Sequence, residues 1–220
     1  MTTLPTNKGR KFPAEPLTPD EVRALIDAAS RYSSSGIRLR GLIGVMYGSG
    51  ARIGEALALT PKDVDTGRGT VRILNGKNGK SRTVGLDPRS CELIDCWLGR
   101  RATYGLNGRH PIFATYEQGK IRSSYGRPLN PIYVRRTLAN LGVKAKIEKR
   151  VHPHGLRHSL AFDMAQRGVP LHVIQRQLGH ADLGITSAYL RRIDNTEIIH
   201  AVHERPAPMI PASTRLATRR

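Results

Sequence analysis

The chain has 220 residues, 39% of them hydrophobic, with 36 Lys and Arg against 17 Asp and Glu and a formal charge of +19. That is enough apolar material for one large packed domain or two small ones, yet no stretch reaches the roughly 18 consecutive apolar residues of a membrane span. The start, "MTTLPTNKGRKFP", lacks the apolar centre of a signal peptide, and basic residues run through the whole chain, which favours nucleic acid in the cytoplasm over a membrane surface as partner.

Residues 1–16 are polar and basic with prolines at 5, 13 and 16, the composition of a flexible arm. Order is expected from "LTPDEVRALIDAA". There Thr18 serves as N-cap, Pro19 as first helical residue and Glu21 as the reciprocal capping group, with Leu17 stapled onto Val22. A second helix is predicted over "IRLRGLIGVMYG", ended by Gly48 and Gly50 before a third helix near Ala51. "TVRIL" and "RTVGL" alternate Val71 and Ile73 on one strand with Val84 and Leu86 on the other, around "NGKNGKS". This pattern predicts a β-hairpin with lysines at its tip.

Helices follow over Ser90–Arg101 and "PIYVRRTLANLG", the latter ending at Gly142, with a short strand or loop near "PIFAT" between them. Three more helical segments are predicted near 154–167, 171–178 and 184–190. Cys91 and Cys96 lie in "CELIDCWLG" without metal-ligand spacing and read as reduced, buried thiols. In the tail, "DNTEIIHAVHE" groups Ile198, Ile199 and Val202 into a short amphipathic helix that needs a host surface, and residues 206–220 read as disordered. The expected class is therefore mainly α with a small antiparallel β-sheet, an α+β fold without internal repeats.

"HPHGLRHSLAFDMAQRG" meets two demands at once. Leu156, Leu160 and Met164 recur every four residues as an apolar stripe, while His154 and Arg157, three apart, address one point on a neighbouring face. Arginine offers a rigid fork of donors suited to phosphate, and a histidine beside it exchanges a proton near neutral pH. His-x-x-Arg alone is common. The conjunction is not: "GSGARIGEALAL" with Arg52, "NGKNGKSRTV" with Lys77, "HGLRH", "LGH" with His180, and "AYL" with Tyr189, in that order.

This set resembles the tyrosine recombinase, or phage integrase, family over roughly residues 17–203. The resemblance implies the family's catalytic-domain fold over residues 17–192, and a C-terminal helix over 193–205 that docks onto the next subunit. It implies Tyr189 as nucleophile, Lys77 as general acid and Arg52 and Arg157 as the phosphate clamp. Glu55 supports Arg52, while His154 and His180 move protons and orient the phosphate. Lys80 and Arg82 are further DNA-contact candidates on the hairpin, and His152 and His158 have no part in the family pattern.

A tyrosine hydroxyl with an ordinary pKa near 10 must lose its proton as it attacks phosphorus, and two guanidinium groups with a histidine hold the charge gathering on phosphate without a metal. The resemblance thus implies cutting and rejoining of DNA with neither metal nor cofactor. It also implies specific double-stranded DNA sites and a homotetramer on paired sites that is a monomer when free. The family usually carries a helical DNA-binding domain ahead of this region, whereas 16 residues precede it here. Three readings follow: a naturally short recombinase, a catalytic-domain fragment, or a clamp completed by a separate N-terminal DNA-binding domain or by DNA-bending proteins. The resemblance places the protein at the nucleoid in the cytoplasm. The competing readings are a type IB topoisomerase-like relaxing enzyme and a catalytically silent DNA-binding regulator of the same fold.

Overall fold

The computed structural model of the chain describes residues 15–74, 81–116 and 124–179. Helix α1, Pro19–Ala28, begins with the predicted capping box: the Glu21 amide donates to Thr18 Oγ1 at 3.2 Å and the Thr18 amide to Glu21 Oε2 at 2.7 Å. Leu17 and Val22 are both buried, as a hydrophobic staple requires. The Leu17 amide donates to Ser159 Oγ at 2.8 Å, so the chain ahead of α1 is pinned to a helix 142 positions later.

Helix α2, Ser34–Ser49, starts one turn earlier than the apolar run suggests, because Ser33 caps it by accepting from the Gly36 amide. Leu42, Ile43, Val45 and Met46 are fully buried around it, as in a helix enclosed on all sides. Helix α3 is short, Ile53–Ala58. The sheet is three-stranded and antiparallel in the order β1 (Val64–Asp65), β2 (Thr70–Ile73), β3 (Arg82–Gly85). Val71 pairs with Val84 in the predicted hairpin register, and Val71, Ile73 and Val84 turn into the core. Leu86 falls just past the strand, its amide donating to Gly69 O at 2.8 Å.

Helix α4, Pro88–Ala102, lies against α2. A Cβ on Gly48 would come within 2.5 Å of Ser90 Oγ and 2.7 Å of Asp87 Oδ2, so the two helices meet at backbone distance. Cys91 is buried there, but Cys96 is exposed. The reading of both cysteines as buried fails because α4 turns only one face inward, that of Leu93, Ile94 and Trp97. Near "PIFAT" the structure has only an isolated bridge, Ala114 with Pro128.

Helix α5, Pro131–Lys144, runs past Gly142. Helix α6, Pro153–Gln166, is buried all round from Gly155 to Ala161 rather than along one stripe. Leu156 joins the main core, whereas Leu160 and Met164 form a small second cluster with Ile174 and Leu178 of α7, Leu171–Leu178. That cluster seats the helix that leads to His180. The predicted helices over 184–190 and 193–205, and the arm and tail, lie outside the described residues.

Some of the positive charge works inside the fold. Arg40 donates to Ile26 O at the end of α1, and Arg101 to the carbonyls of Leu106, Asn107, His110 and Pro111. Arg38 donates to Ala114 O and lies 4.7 Å from the ring centroid of Tyr116. All three are buried and donate to backbone carbonyls, Arg40 also meeting Asp27 Oδ1 at 3.3 Å.

Candidate active site

Arg52 precedes its helix rather than lying within it. It is the N-cap of α3, extended at φ −67°, ψ 152°, because Gly50 closes α2 in the left-handed region at φ 66°. A Cβ on Gly50 would lie 2.7 Å from Leu178 Cδ2, so both conformation and space demand glycine. Glu55 answers from the first turn of α3. Its Oε2 accepts from the Arg52 amide at 2.9 Å and its Oε1 from Arg52 Nη1 at 2.9 Å.

Glu55 has a second cation. Arg82 of β3 grips the same carboxylate with both terminal nitrogens, Nη1 to Oε1 at 3.0 Å and Nη2 to Oε2 at 2.8 Å. The Arg82 side chain is 14% exposed and Glu55 6%. Arg82, a surface DNA-contact candidate by its place on the hairpin, is thus an internal tie between the sheet and the Arg52 segment. Burial alone would raise the Glu55 carboxyl, but the bonds from Arg82 and Arg52 outweigh it and hold the pKa at about 2.

The folded value lies below the ordinary 4.5, so the carboxylate's contribution is complete above that pH and is lost as pH falls through about 2. The shift corresponds to on the order of 3 kcal/mol at neutral pH. Glu55→Gln is therefore expected to lower stability at pH 7 by that order. Urea unfolding should show the gap to wild type closing as pH drops from about 4.5 towards 2. A gap that stays constant with pH would contradict the assignment.

Arg82 also touches the end of α7. Gly179 caps that helix at φ 65°, and a Cβ there would lie 2.6 Å from Arg82 Cδ and Nε. Gln177, two residues earlier, exchanges hydrogen bonds with Gly85 of β3 at 3.0 and 2.9 Å. The glycine of "LGH" is thus fixed by backbone conformation and by the guanidinium beneath it.

Arg157 is 1% exposed. Its Nη1 donates to Gly50 O and its Nη2 to Leu178 O at 2.6 Å, placing one cation at the C-terminal ends of both α2 and α7, where carbonyls leave partial negative charge. His154 precedes it by one turn and meets the His158 ring edge-on, with centroids 4.1 Å apart. His152 is the N-cap of α6, its Nδ1 accepting from the Gly155 amide at 3.1 Å. Partial desolvation, together with the Arg157 and Arg52 charges, pushes the His154 pKa down. Desolvation, Arg150 and His154 do the same to His152.

Arg52, His154 and Arg157 line one cleft of about 330 Å³ together with Ile53, Arg135, Arg150, His152 and Pro153. Two segments far apart in the chain thus bring both predicted clamp arginines and one predicted histidine to the same opening. Lys77, Lys80, His180 and Tyr189 lie outside the described residues. Arg135 and Arg150 were missed by sequence reasoning, since an arginine on an exposed helix face or in a loop carries no local mark of a shared cleft.

Residues 15–196 match the model of the phage integrase family. The chain belongs to that family. It is 30% identical over 183 residues to tyrosine recombinase XerD of Halalkalibacterium halodurans, covering 83% of this chain and 58% of the relative. The integrase fold superposes on the crystal structure of XerA recombinase with a TM-score of 0.70 at 28% identity, over 87% of this chain and 66% of the other. XerH site-specific recombinase bound to palindromic difH substrate, in a post-cleavage complex, gives 0.69 at 27% identity, over 88% and 54%. This integrase chain therefore spans between about half and two thirds of the length of the relatives it matches. Among its described residues no helix is long and apolar enough to cross a membrane.

Proposed function

We propose that this integrase chain cuts and rejoins double-stranded DNA at specific sites, using Tyr189 as nucleophile and neither metal nor ATP. The observation that carries the reading is the cleft itself: Arg52, His154 and Arg157 converge on it in a member of this family. In the proposed step the Tyr189 oxygen forms a bond to phosphorus as the bond from phosphorus to the 5′ oxygen breaks. The tyrosine proton passes to a histidine, and Lys77 protonates the departing 5′ oxygen. The product is a 3′-phosphotyrosyl link and a free 5′ hydroxyl. Reversal by another 5′ hydroxyl rejoins the strand with no external energy, because one phosphodiester-level bond replaces another.

Arg52 and Arg157 hold the non-bridging oxygens as charge accumulates. His154 suits the acceptor role, since its lowered pKa keeps it neutral at physiological pH. Strand exchange would take place in a homotetramer on paired sites, formed from monomers with 193–205 docked on the next subunit. DNA-bending proteins would assist the exchange, at the nucleoid in the cytoplasm.

The test is incubation with a nicked suicide DNA duplex and a denaturing gel. A covalent protein–DNA band is expected, and its absence over a panel of candidate attachment sites would overturn the proposal. Relaxation of any supercoiled plasmid by a monomer would favour the topoisomerase-like reading instead. The single-turnover rate of adduct formation is expected to hold down to about pH 6.5 and to fall only below it, where His154 gains a proton. A rate that rises as pH falls would remove His154 from the acceptor role.

A further inference from the structure

We propose that Arg135 and Arg150 form a second phosphate subsite, beside the one held by Arg52 and Arg157, that takes the phosphodiester next to the reacting one on the same DNA strand. The inference rests on the proposed DNA-cutting function. Among the described residues the cleft wall carries four guanidinium groups, two imidazoles, Ile53 and Pro153, and no carboxylate. Arg52 answers to Glu55 and Arg157 to two carbonyls. Arg135 and Arg150 are exposed at the same cleft and, among the described residues, form no ion pair. Some arginines elsewhere on the surface meet carboxylates, as Arg23 meets Asp20 and Arg167 meets Asp163, and others such as Arg136 and Arg176 do not among the described residues. Arg135 and Arg150 differ from these in sharing one cleft with Arg52 and Arg157. Charges of one sign on a shared wall raise the local potential for an anion.

Both residues are presented by rigid supports. Arg135 sits on α5 beside Val134, which is fully buried with Leu138. Arg150 lies between two anchors. Lys149 bonds Glu21 Oε2 at 2.7 Å and Pro16 O at 3.2 Å, and Val151 is buried against α5 so closely that a Cβ on Gly142 would lie 2.6 Å from its Cγ2. The loop therefore cannot swing its arginine away without leaving the core. A cleft of about 330 Å³ exceeds what one phosphate fills, and the chain of a DNA strand supplies the next phosphate one sugar away.

Thymidine 3′,5′-bisphosphate carries two phosphates across one sugar as DNA does, with thymidine 3′-monophosphate as the single-phosphate reference. NMR titration of wild type is expected to show at least about tenfold tighter binding of the bisphosphate, the value of one charge-assisted contact pair. The Arg135→Gln/Arg150→Gln double variant should lose that preference, keep its affinity for the monophosphate, and melt like wild type because both side chains are exposed. On a duplex of arbitrary sequence the same variant should show a log–log salt slope shallower by about one. A bisphosphate preference and salt slope unchanged in the double variant overturn the subsite, even if wild type forms the covalent adduct. A lost preference with no adduct leaves the subsite standing and removes the cutting function.

Discussion

Replacing Tyr189 with phenylalanine is expected to abolish the covalent protein–DNA adduct, by at least about 10⁴-fold, while leaving melting temperature and DNA affinity at wild-type values. Only one oxygen is removed, and it is the atom proposed to bond to phosphorus. The rest of the side chain is the same. Another tyrosine of the integrase fold makes a poor substitute: partial burial and the nearby Asp163 push the Tyr47 hydroxyl up to about 12, so it loses its proton less readily than an ordinary phenol. The measurement is a denaturing gel on the nicked substrate. Bands of equal intensity for wild type and Tyr189→Phe would transfer the nucleophile's role elsewhere.

Arg157→Ala is expected to damage fold and chemistry together. The substitution removes donors from Gly50 O and Leu178 O in a site that is 1% exposed. Each bond from a charged group is worth about 1.5–3 kcal/mol, and the orphaned carbonyls and the void add to the loss. A total of at least about 3 kcal/mol lowers the melting temperature by roughly 6–12 °C in a chain of this size. Arg52→Ala should differ, because the Arg52 side chain is 35% exposed and Glu55 keeps Arg82 as its partner. It should suppress adduct formation with little change in melting. Thermal denaturation followed by circular dichroism, beside the adduct assay, separates the two. An Arg157→Ala protein that melts within a degree of wild type would show that the carbonyl contacts carry no weight.

Residues close in sequence were legible where the physics is local. The α1 capping box depends on Thr18, Pro19 and Glu21 alone, and the hairpin on the alternation of Val71, Ile73 and Val84, so both were readable before any fold was known. The family pattern placed Arg52, His154 and Arg157, and the fold gathers them into one cleft. Local reading failed where a residue's partner is far along the chain. Arg82 reads as a hairpin cation until Glu55, 27 positions earlier, takes its fork. Cys96 reads as buried until α4 shows which face packs on α2.

What the sequence by itself determined was composition and local form: a basic chain, helices with their caps, a hairpin, and an ordered set of residues that marks the family. Tertiary structure decided which cations line an open cleft and which are consumed inside. Arg38, Arg40 and Arg101 are spent on backbone carbonyls, Arg82 on a buried carboxylate, and Arg157 on two helix ends at the floor of the cleft. Arg135 and Arg150 remain on its wall. A guanidinium has the same charge in every one of these places. Its role is set by what the fold brings within about 3 Å of it, and that distance is a property of segments meeting in space, not of neighbours along the chain.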